Sequence, residues 1–330
     1  MEIAELVPQD FHGVISLVRG DQVLFRQAHG YADLANRIPN TIDTRFQTAS
    51  AGKAFVAVGI LQLVERGQLG LEDTIGTLLD LDLKAIDPAI TVRQLLTHTS
   101  GIPDYFDESV MDEYADLWVD YPNYRVRTSR DLLPLFIDRP MMYPAGQKFQ
   151  YNNTGFVVLG LIIEQVTGVP FDTYLRDNVF LPAGMHRSGY YELDRLPAGC
   201  ANAYIYDPAR DEYYTNIYSV DVKGTGAGGA FTTVPDLERF WQALTGGRLL
   251  RDDLTREMMS PQVDEGIYGY GMWLKRKAGG GVCPYFQGSD PGVSFLSLYD
   301  PEMGETLTLI SNFGCNVWKL GKDILARSDS

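Results

Sequence analysis

The sequence is poor in the residues that commonly form disulfides, metal sites and nucleic-acid contacts. Its three cysteines, Cys200, Cys283 and Cys315, are odd in number and far apart, so we expect no disulfide framework and a reducing compartment. The 28 lysines and arginines are outnumbered by 43 acidic residues, and the net charge of −15 argues against nucleic acid as a partner. None of the four histidines has zinc-ligand spacing, so we predict no metal and no cofactor.

Long apolar segments are also missing. No run of residues reaches transmembrane length, and the acidic residues 1–5 are not followed by an apolar stretch of signal-peptide length. We therefore expect no membrane partner and a cytoplasmic protein. The 330 residues are enough for one large domain or two lobes, and 45% hydrophobic content is ordinary for a globular chain.

One stretch combines a serine, a lysine and a strongly apolar helix. Residues 54–61 follow Lys53 without a charge, and a helix apolar on nearly every side belongs inside a protein. Ser50 and Lys53 are three residues apart and therefore share one helix face. Burial lowers the pKa of an ammonium, and a neutral lysine can take the proton of a neighbouring serine. The pair is a candidate nucleophile and base, although a capping serine beside a snorkelling lysine fits the same spacing.

The order of the predicted elements indicates a mixed fold. A β-hairpin is predicted over residues 13–30, and strands at hairpin spacing are predicted near the other end. Those strands cover residues 268–275, 281–287, 292–299 and 305–310. Helices are predicted over residues 53–66, 91–97, 129–138, 155–166, 234–244 and 318–327, and residues 171–186 are predicted to contain a further helix and a Pro-Ala-Gly turn. We therefore predict an α/β (α+β) fold with an antiparallel sheet from both termini, flanking helices and a largely helical inserted domain.

This order also suggests a division into domains. Residues 1–75 plus 225–330 would form an α/β sandwich domain, and residues 76–224 a mainly helical inserted domain. The active site would then lie between the two.

Two further segments have unusual composition. Residues 104–124 contain seven acidic residues and six aromatic residues, with no lysine or arginine. They form either the mouth of a pocket or a solvated acidic face. Residues 224–229 are glycine-rich but match neither a phosphate-binding loop nor a dinucleotide-binding loop, so we expect close packing or a tight turn there.

Four ordered motifs resemble the serine β-lactamase and penicillin-binding-protein superfamily, in its branch of class C β-lactamases, DD-peptidases and related esterases. The motifs are Ser50-Ala51-Gly52-Lys53, residues 95–103, Tyr151-Asn152-Asn153 and residues 226–240. The resemblance extends from about residue 10 to 315 and implies a β-lactamase/transpeptidase-like fold. It also implies a small-molecule ester, amide or peptide as the substrate.

The resemblance implies a role for each matched residue. Ser50 would attack a carbonyl carbon, with Lys53 and a low-pKa Tyr151 sharing the proton transfers. Asn153 would hydrogen-bond Lys53 and a substrate amide. The backbone N–H groups of Ser50 and Ser289 would form the oxyanion hole.

One further motif of the family, a lysine or histidine followed two residues later by glycine on a late strand, is not matched in full. Residues 286–292 read Phe-Gln-Gly-Ser-Asp-Pro-Gly, which places Phe286 where the family has a lysine or histidine, followed by Gly288. Phe286, Gly288 and Ser289 are the substrate-binding residues that this alignment implies. A phenyl ring cannot bind a substrate carboxylate, so we expect weak activity on β-lactams and on carboxypeptidase substrates.

The sequence also bears on two other protein classes and on the role of one histidine. An α/β-hydrolase elbow around Ser50 is excluded because Thr48 stands where that motif needs glycine. A catalytically silent binding or scaffold protein of the penicillin-binding-protein type remains open, with Phe286 as its sign. His98 is predicted to be a hydrogen-bonded structural residue.

Overall fold

A computed structural model of the chain describes residues 3–277 and 279–328. A six-stranded antiparallel sheet contains β1, β2 and β9–β12 in the order β2-β1-β12-β11-β10-β9. The strands are β1 (Gly13–Arg19), β2 (Gln22–His29), β3 (Tyr31–Asp33), β4 (Ile38–Pro39), β5 (Phe46–Gln47), β6 (Tyr204–Asp207), β7 (Glu212–Thr215), β8 (Phe231–Thr232), β9 (Trp273–Arg276), β10 (Val282–Asp290), β11 (Val293–Asp300) and β12 (Glu305–Ser311). The predicted antiparallel sheet from both ends of the chain is confirmed.

Helices cover the sheet and fill the middle of the chain. The α-helices are α1 (Lys53–Glu65), α2 (Ile75–Leu78), α3 (Val92–Leu96), α4 (Leu117–Asp120), α5 (Asn153–Thr167), α6 (Phe171–Leu175), α7 (Leu181–Ala183), α8 (Val234–Thr245), α9 (Asp252–Met258) and α10 (Val317–Ser328). A π-helix, Arg176–Phe180, joins α6 to α7. The 3₁₀ helices are Ile3–Leu6, Ala49–Gly52, Tyr114–Asp116, Asn123–Arg125, Ser129–Leu135 and Asn216–Tyr218.

Both faces of the sheet are buried. In β1, Ile15 and Leu17 join an apolar cluster that includes Leu320 of α10, whereas Val14 joins the main core on the opposite face. This division follows from the alternation of side chains along a strand. Burial on both faces explains why β1 is almost continuously apolar from Val14 to Val18.

The two most apolar helices lie in the main core. In α1 every residue from Lys53 to Leu63 is buried, and in α5 every residue from Asn153 to Ile163 is buried. The two helices pack against each other. The predicted internal position of the helix after Ser50 is therefore confirmed, and Lys53 and Asn153 both stand at the first residues of buried helices.

Some predicted elements differ in type or length. The predicted helix over residues 129–138 is a 3₁₀ helix, Ser129–Leu135, with Pro134 inside it, and proline removes the N–H that a longer α-helix needs. The predicted strand over residues 268–275 is shortened to β9, because Gly271 adopts a φ of 69° just before it. Helix α9 was not predicted, since its seven residues carry little apolar periodicity.

The proposed division into domains stays a prediction.

Of the helices in residues 3–277 and 279–328, none has by itself the length and hydropathy of a membrane span. Asn153–Thr167 and Phe171–Ala183 reach those values only as a pair that is bent by 80°.

Candidate active site

Ser50 lies in a tight turn at the entrance to a buried helix. The 3₁₀ turn Ala49–Gly52 runs directly into α1, which begins at Lys53. Ala49, just before the serine, has a φ of 47°, a left-handed conformation that is strained for a residue with a Cβ. Such strain persists only where the surrounding structure holds it, and it is common beside functional groups.

Two glycines from distant segments hold this turn. A Cβ on Gly228 would lie 2.3 Å from the carbonyl oxygen of Ala49, and one on Gly288 would lie 2.3 Å from that of Thr48. Only a residue without a side chain allows these approaches. The predicted close packing of the glycine-rich loop is therefore confirmed, and Gly288 brings the backbone of β10 against the backbone nitrogen of Ser50.

Lys53 is fully enclosed and makes three short polar contacts. Only 2% of its surface is exposed, and its Nζ lies 2.9 Å from Ser50 Oγ, 2.8 Å from Asn153 Oδ1 and 2.6 Å from the carbonyl oxygen of Ala227. The last two atoms can only accept hydrogen bonds. When Lys53 is neutral, its two N–H groups therefore serve Asn153 and Ala227, and its lone pair is left for the hydroxyl of Ser50.

The pKa of Lys53 is lowered to about 8, because burial penalises the ammonium form. Carboxylates oppose this shift, since their negative charge favours the ammonium. They are, in order of effect, Glu108, Asp104, Asp290 and Asp221. A pKa near 8 gives a substantial neutral fraction close to neutral pH, as a general base requires.

Tyr151 lies close to both Ser50 and Lys53. Its phenol is close enough to Ser50 for that contact to lower its pKa, and Lys53 Nζ is 4.9 Å from its ring centroid. The ring stacks on Trp273 with centroids 5.7 Å apart, and His98 contacts it at 4.4 Å. Burial raises the pKa of Tyr151 well above its ordinary value, and Glu108 adds to this. The expected low pKa is therefore wrong, because burial of the phenolate outweighs the contact with Ser50, which lowers the pKa.

His98 is a satisfied structural residue, as predicted. It is buried, its Nδ1 accepts from the backbone N–H of Asn152 at 3.1 Å, and its Nε2 lies 2.9 Å from the Tyr268 hydroxyl. Burial and the charge of Lys53 hold the pKa of His98 well below its usual value, so the ring is neutral. Its contact with Asn152 fixes the backbone between Tyr151 and Asn153.

A cavity of about 780 Å³ opens above these groups. Most of the site residues named from the sequence line it: Ser50, Tyr151, Asn153, Gly288 and Ser289. Lys53 lies beneath them, out of reach of bulk solvent. The cavity therefore presents the serine hydroxyl, rather than the lysine, to a substrate.

Phe286 is not in the cavity, contrary to its expected place among the substrate-binding residues. It is 2% exposed, and its ring stacks on Trp241 with centroids 5.1 Å apart and contacts Phe240 at 5.6 Å. The apolar ring is most stable in this aromatic core. Side chains alternate along β10, so Gln287, the neighbour of Phe286 that the spacing to residues 291–292 argued against, lines the cavity instead.

The first half of the acidic segment, within residues 105–115, contributes to the cavity wall, so this part is a pocket wall and not only a solvated face. Several of its residues, among them Tyr105, Glu108 and Tyr114, belong to the wall. In all, the acidic residues of the wall are Glu108, Asp112, Glu113, Asp221 and Asp290. Within the described part of the chain, no lysine, arginine or histidine joins them in lining this cavity.

Three acids near the reacting groups were not singled out from the sequence. Burial raises the pKa of Asp104 to about 7 and that of Asp221 to about 6, and it raises the pKa of Asp290 well above its ordinary value. The charge of Asp221 adds to the shift of Asp290. Asp104 directly follows the motif at residues 95–103 and opens the acidic segment, which could have marked it, whereas nothing local marks Asp221. Within residues 3–277 and 279–328, no group of three or more histidine, cysteine or acidic side chains is arranged to hold a metal.

Comparison with known proteins agrees with this architecture. The Beta-lactamase family profile matches residues 3–316. The chain is similar to a penicillin-binding protein from Bacillus halodurans, at 39% identity and a TM-score of 0.94, over 98% of this chain and 99% of that one.

Two other relatives carry names that describe hydrolases. A D-aminopeptidase from Brucella anthropi is 27% identical over 90% of this chain, which spans 58% of that protein's length. A D-amino acid amidase from Ochrobactrum anthropi is 26% identical, with a TM-score of 0.76 over 94% of this chain and 90% of that one. The sequence resemblance and the predicted fold are thus confirmed: the chain belongs to the beta-lactamase family of serine hydrolases.

Proposed function

We propose that this hydrolase cleaves an ester or amide through an acyl-enzyme on Ser50, and that it prefers a neutral or positively charged acyl group. The observation that carries the proposal is the 2.9 Å contact between Lys53 Nζ and Ser50 Oγ. Because the other two partners of Lys53 are acceptors only, the contact favours transfer of the serine proton to the lysine.

Acylation would use Lys53 as the base. As Ser50 Oγ bonds to the carbonyl carbon, its proton passes to Lys53 and the carbonyl oxygen takes up negative charge. The backbone N–H groups of Ser50 and Ser289 would stabilise that oxygen, a role supported by the close approach of β10 to the Ser50 turn. Collapse of the tetrahedral intermediate breaks the bond to the alcohol or amine.

Tyr151 would serve as the proton donor to the leaving group. Its raised pKa keeps the phenol protonated, and its position near Ser50 in the cavity would place it beside the bond that breaks. Lys53 then returns its proton to the phenolate. In deacylation a water molecule attacks the ester carbon and gives a proton to Lys53. The bond between the acyl carbon and Ser50 Oγ then breaks, the acid is released, and Lys53 returns the proton to Ser50 Oγ.

The cavity wall supports the charge preference. Its five acidic residues have no basic partner in the part of the wall that the structure describes. An anionic substrate would be repelled there, whereas a protonated amine would relieve the repulsion between Asp221 and Asp290. The names of the two relatives, a D-aminopeptidase and a D-amino acid amidase, add support, because amino-acid amides carry such an amine.

β-Lactams are therefore expected to be poor substrates. They carry a carboxylate, and the residue that would bind it in the family is Phe286 in this chain. Its ring packs in the aromatic core. Gln287 offers the cavity an amide without charge.

A fluorophosphonate probe tests the nucleophile directly. Intact-mass and peptide mapping should find one adduct, on Ser50, and Ser50→Ala should lose both labelling and hydrolysis by roughly three or more orders of magnitude. Turnover is then compared for D- and L-amino-acid p-nitroanilides, p-nitrophenyl acetate and nitrocefin. Absence of labelling at Ser50 would instead support a catalytically silent binding or scaffold protein.

The cytoplasmic location remains part of the proposal. The free state of Cys200, Cys283 and Cys315 supports a reducing compartment. Fractionation of the source cells, with immunodetection of the protein in each fraction, tests it.

A further inference from the structure

A buried carboxylate outside the serine–lysine–tyrosine group holds the start of α5. Asp104 is 4% exposed, and its oxygens accept the backbone N–H groups of Asn153 at 2.8 Å and Thr154 at 3.0 Å. It also accepts from the Thr154 hydroxyl at 3.2 Å. These are two of the N–H groups that a helix leaves unpaired at its first turn, where negative charge is also favourable.

The same carboxylate defines which way the Asn153 carboxamide points. Asn153 Nδ2 donates to the Phe106 carbonyl at 3.1 Å and faces Asp104 Oδ2 at 3.4 Å. The Phe106 carbonyl oxygen can only accept, so the amide nitrogen must lie on its side. Asn153 Oδ1 is therefore turned towards Lys53 Nζ, 2.8 Å away.

We propose that Asp104 is a positioning residue that orients Asn153 and, through it, holds Lys53 Nζ against Ser50 Oγ. The proposal rests on the function assigned above to Ser50 and Lys53. A continuous set of hydrogen bonds links the groups, from Asp104 to Asn153, Lys53 and finally Ser50. If the amide turned around, its NH₂ group would face the N–H groups of Lys53 and displace the base.

The charge of Asp104 gives the proposal a second consequence. Asp104 raises the pKa of Lys53, and Lys53 in turn lowers that of Asp104. The other charged or titratable groups that face Lys53 are Glu108, Asp221, Asp290, Tyr151 and His98. Neutralising Asp104 removes one of the charges that favour the ammonium, so the neutral base should persist to lower pH.

A double-mutant cycle with fluorophosphonate labelling tests the proposal. The second-order labelling rate is measured for wild type, Asp104→Asn, Asn153→Ala and the double variant. We expect Asp104→Asn to slow labelling by up to about 100-fold in the wild-type background, the cost of a small displacement of a reacting group. In the Asn153→Ala background, Asp104→Asn should slow labelling by less than about threefold, because the side chain through which Asp104 acts is then absent. Equal losses in both backgrounds would overturn the proposal.

The pH dependence separates positioning from simple structural support. Labelling of wild type should rise through the pKa of Lys53, and the midpoint should move to lower pH in Asp104→Asn. An unmoved midpoint together with an unchanged rate would also overturn the proposal. Absence of any labelling of wild-type Ser50 would instead contradict the proposed function, so the two failures are distinguishable.

Asn152→Ala is the matched control. The Asn152 side chain caps the same helix, accepting from Gly155 N at 2.8 Å. The control variant should lower the melting temperature but label within about threefold of wild type. A loss as large as that of Asp104→Asn would show that any weakening of this helix end suffices, which contradicts the proposal. If Asp104→Asn does not fold, the cycle is run with Asp104→Glu, which keeps the charge but moves the carboxylate by one methylene, and the same criterion of additivity applies.

Discussion

Lys53 Nζ and Ser50 Oγ lie 2.9 Å apart at the junction of a 3₁₀ turn and a buried helix. The lysine has no acidic side chain as a direct hydrogen-bond partner among the described residues; its contacts are a hydroxyl, a carboxamide oxygen and a backbone carbonyl. A direct carboxylate partner would hold the proton on the lysine. This neutral set of partners, with burial, allows the proton to leave.

Replacing Lys53 by arginine should nearly abolish turnover. Arginine keeps a positive charge but cannot be deprotonated at accessible pH, so it cannot accept the proton of Ser50. We expect kcat/KM to fall by roughly 10²- to 10⁴-fold, the usual contribution of a general base. The measurement is steady-state hydrolysis of p-nitrophenyl acetate, with circular dichroism as the control for folding. A near-normal rate in Lys53→Arg would exclude Lys53 as the base.

The pH profile should report the same group. Because the neutral form of Lys53 is the active one and its pKa is about 8, kcat/KM should rise with pH and level off above that value. Glu108 is the charge that raises this pKa most, so Glu108→Gln should move the midpoint to lower pH.

Glu5→Gln serves as the control for this shift. Glu5 is exposed, and it belongs neither to the cavity wall nor to the charges that act on Lys53. Its profile should coincide with that of wild type. If the midpoint stayed unchanged in Glu108→Gln, the group that titrates in the pH profile would not be Lys53.

The acids of the cavity should govern substrate charge. In Asp221→Asn and Asp290→Asn the volume is kept and the charge is lost, so an amino-acid p-nitroanilide should lose kcat/KM by roughly 10- to 100-fold. This corresponds to about 1.5–3 kcal/mol for a hydrogen bond to a charged group. Hydrolysis of neutral p-nitrophenyl acetate, the control, should change little at a pH above the pKa of Lys53, where the base is neutral with or without these charges. Equal losses on both substrates, or efficient nitrocefin hydrolysis by wild type, would contradict the charge preference.

The backbone contact at Gly288 should tolerate no side chain. In Gly288→Ala the new Cβ would meet the carbonyl oxygen of Thr48 at 2.3 Å and the nitrogen of Ser50 at 2.8 Å. We expect a loss of about 1–3 kcal/mol in unfolding free energy, as for other overpacked sites, and a displaced Ser50 turn that labels slowly.

Gly279→Ala is the matched control, because a Cβ there would meet no atom of the described residues within 4 Å apart from its own chain neighbours. Denaturant melts and labelling rates are compared for the two variants. Equal behaviour of both would mean that β10 does not hold the Ser50 turn.

The local part of the site could be predicted from the sequence for a physical reason. A helix without charges over residues 54–61 has to be buried, and a spacing of three places Ser50 and Lys53 on one face. The prediction therefore held without any knowledge of the neighbours. The β-hairpin over residues 13–30 and the late strands followed in the same way from local alternation and turns.

Contacts between distant segments could not be obtained in this way. The carboxamide and the carbonyl that orient Lys53 come from residues 100 and 174 positions away, and no local pattern relates them. The alignment of residues 286–292 was compatible with Phe286 facing the substrate. Only the packing of β10 decided that the ring joins Trp241 in the core while Gln287 faces the cavity.

The sequence by itself determined the buried helix, the serine–lysine pair and the β-hairpins of the sheet, because each depends on residues within a few positions of one another. The tertiary structure decided the orientation of the base, the raised pKa of Tyr151 and the acidic wall, because each depends on burial and on charges brought together from remote parts of the chain.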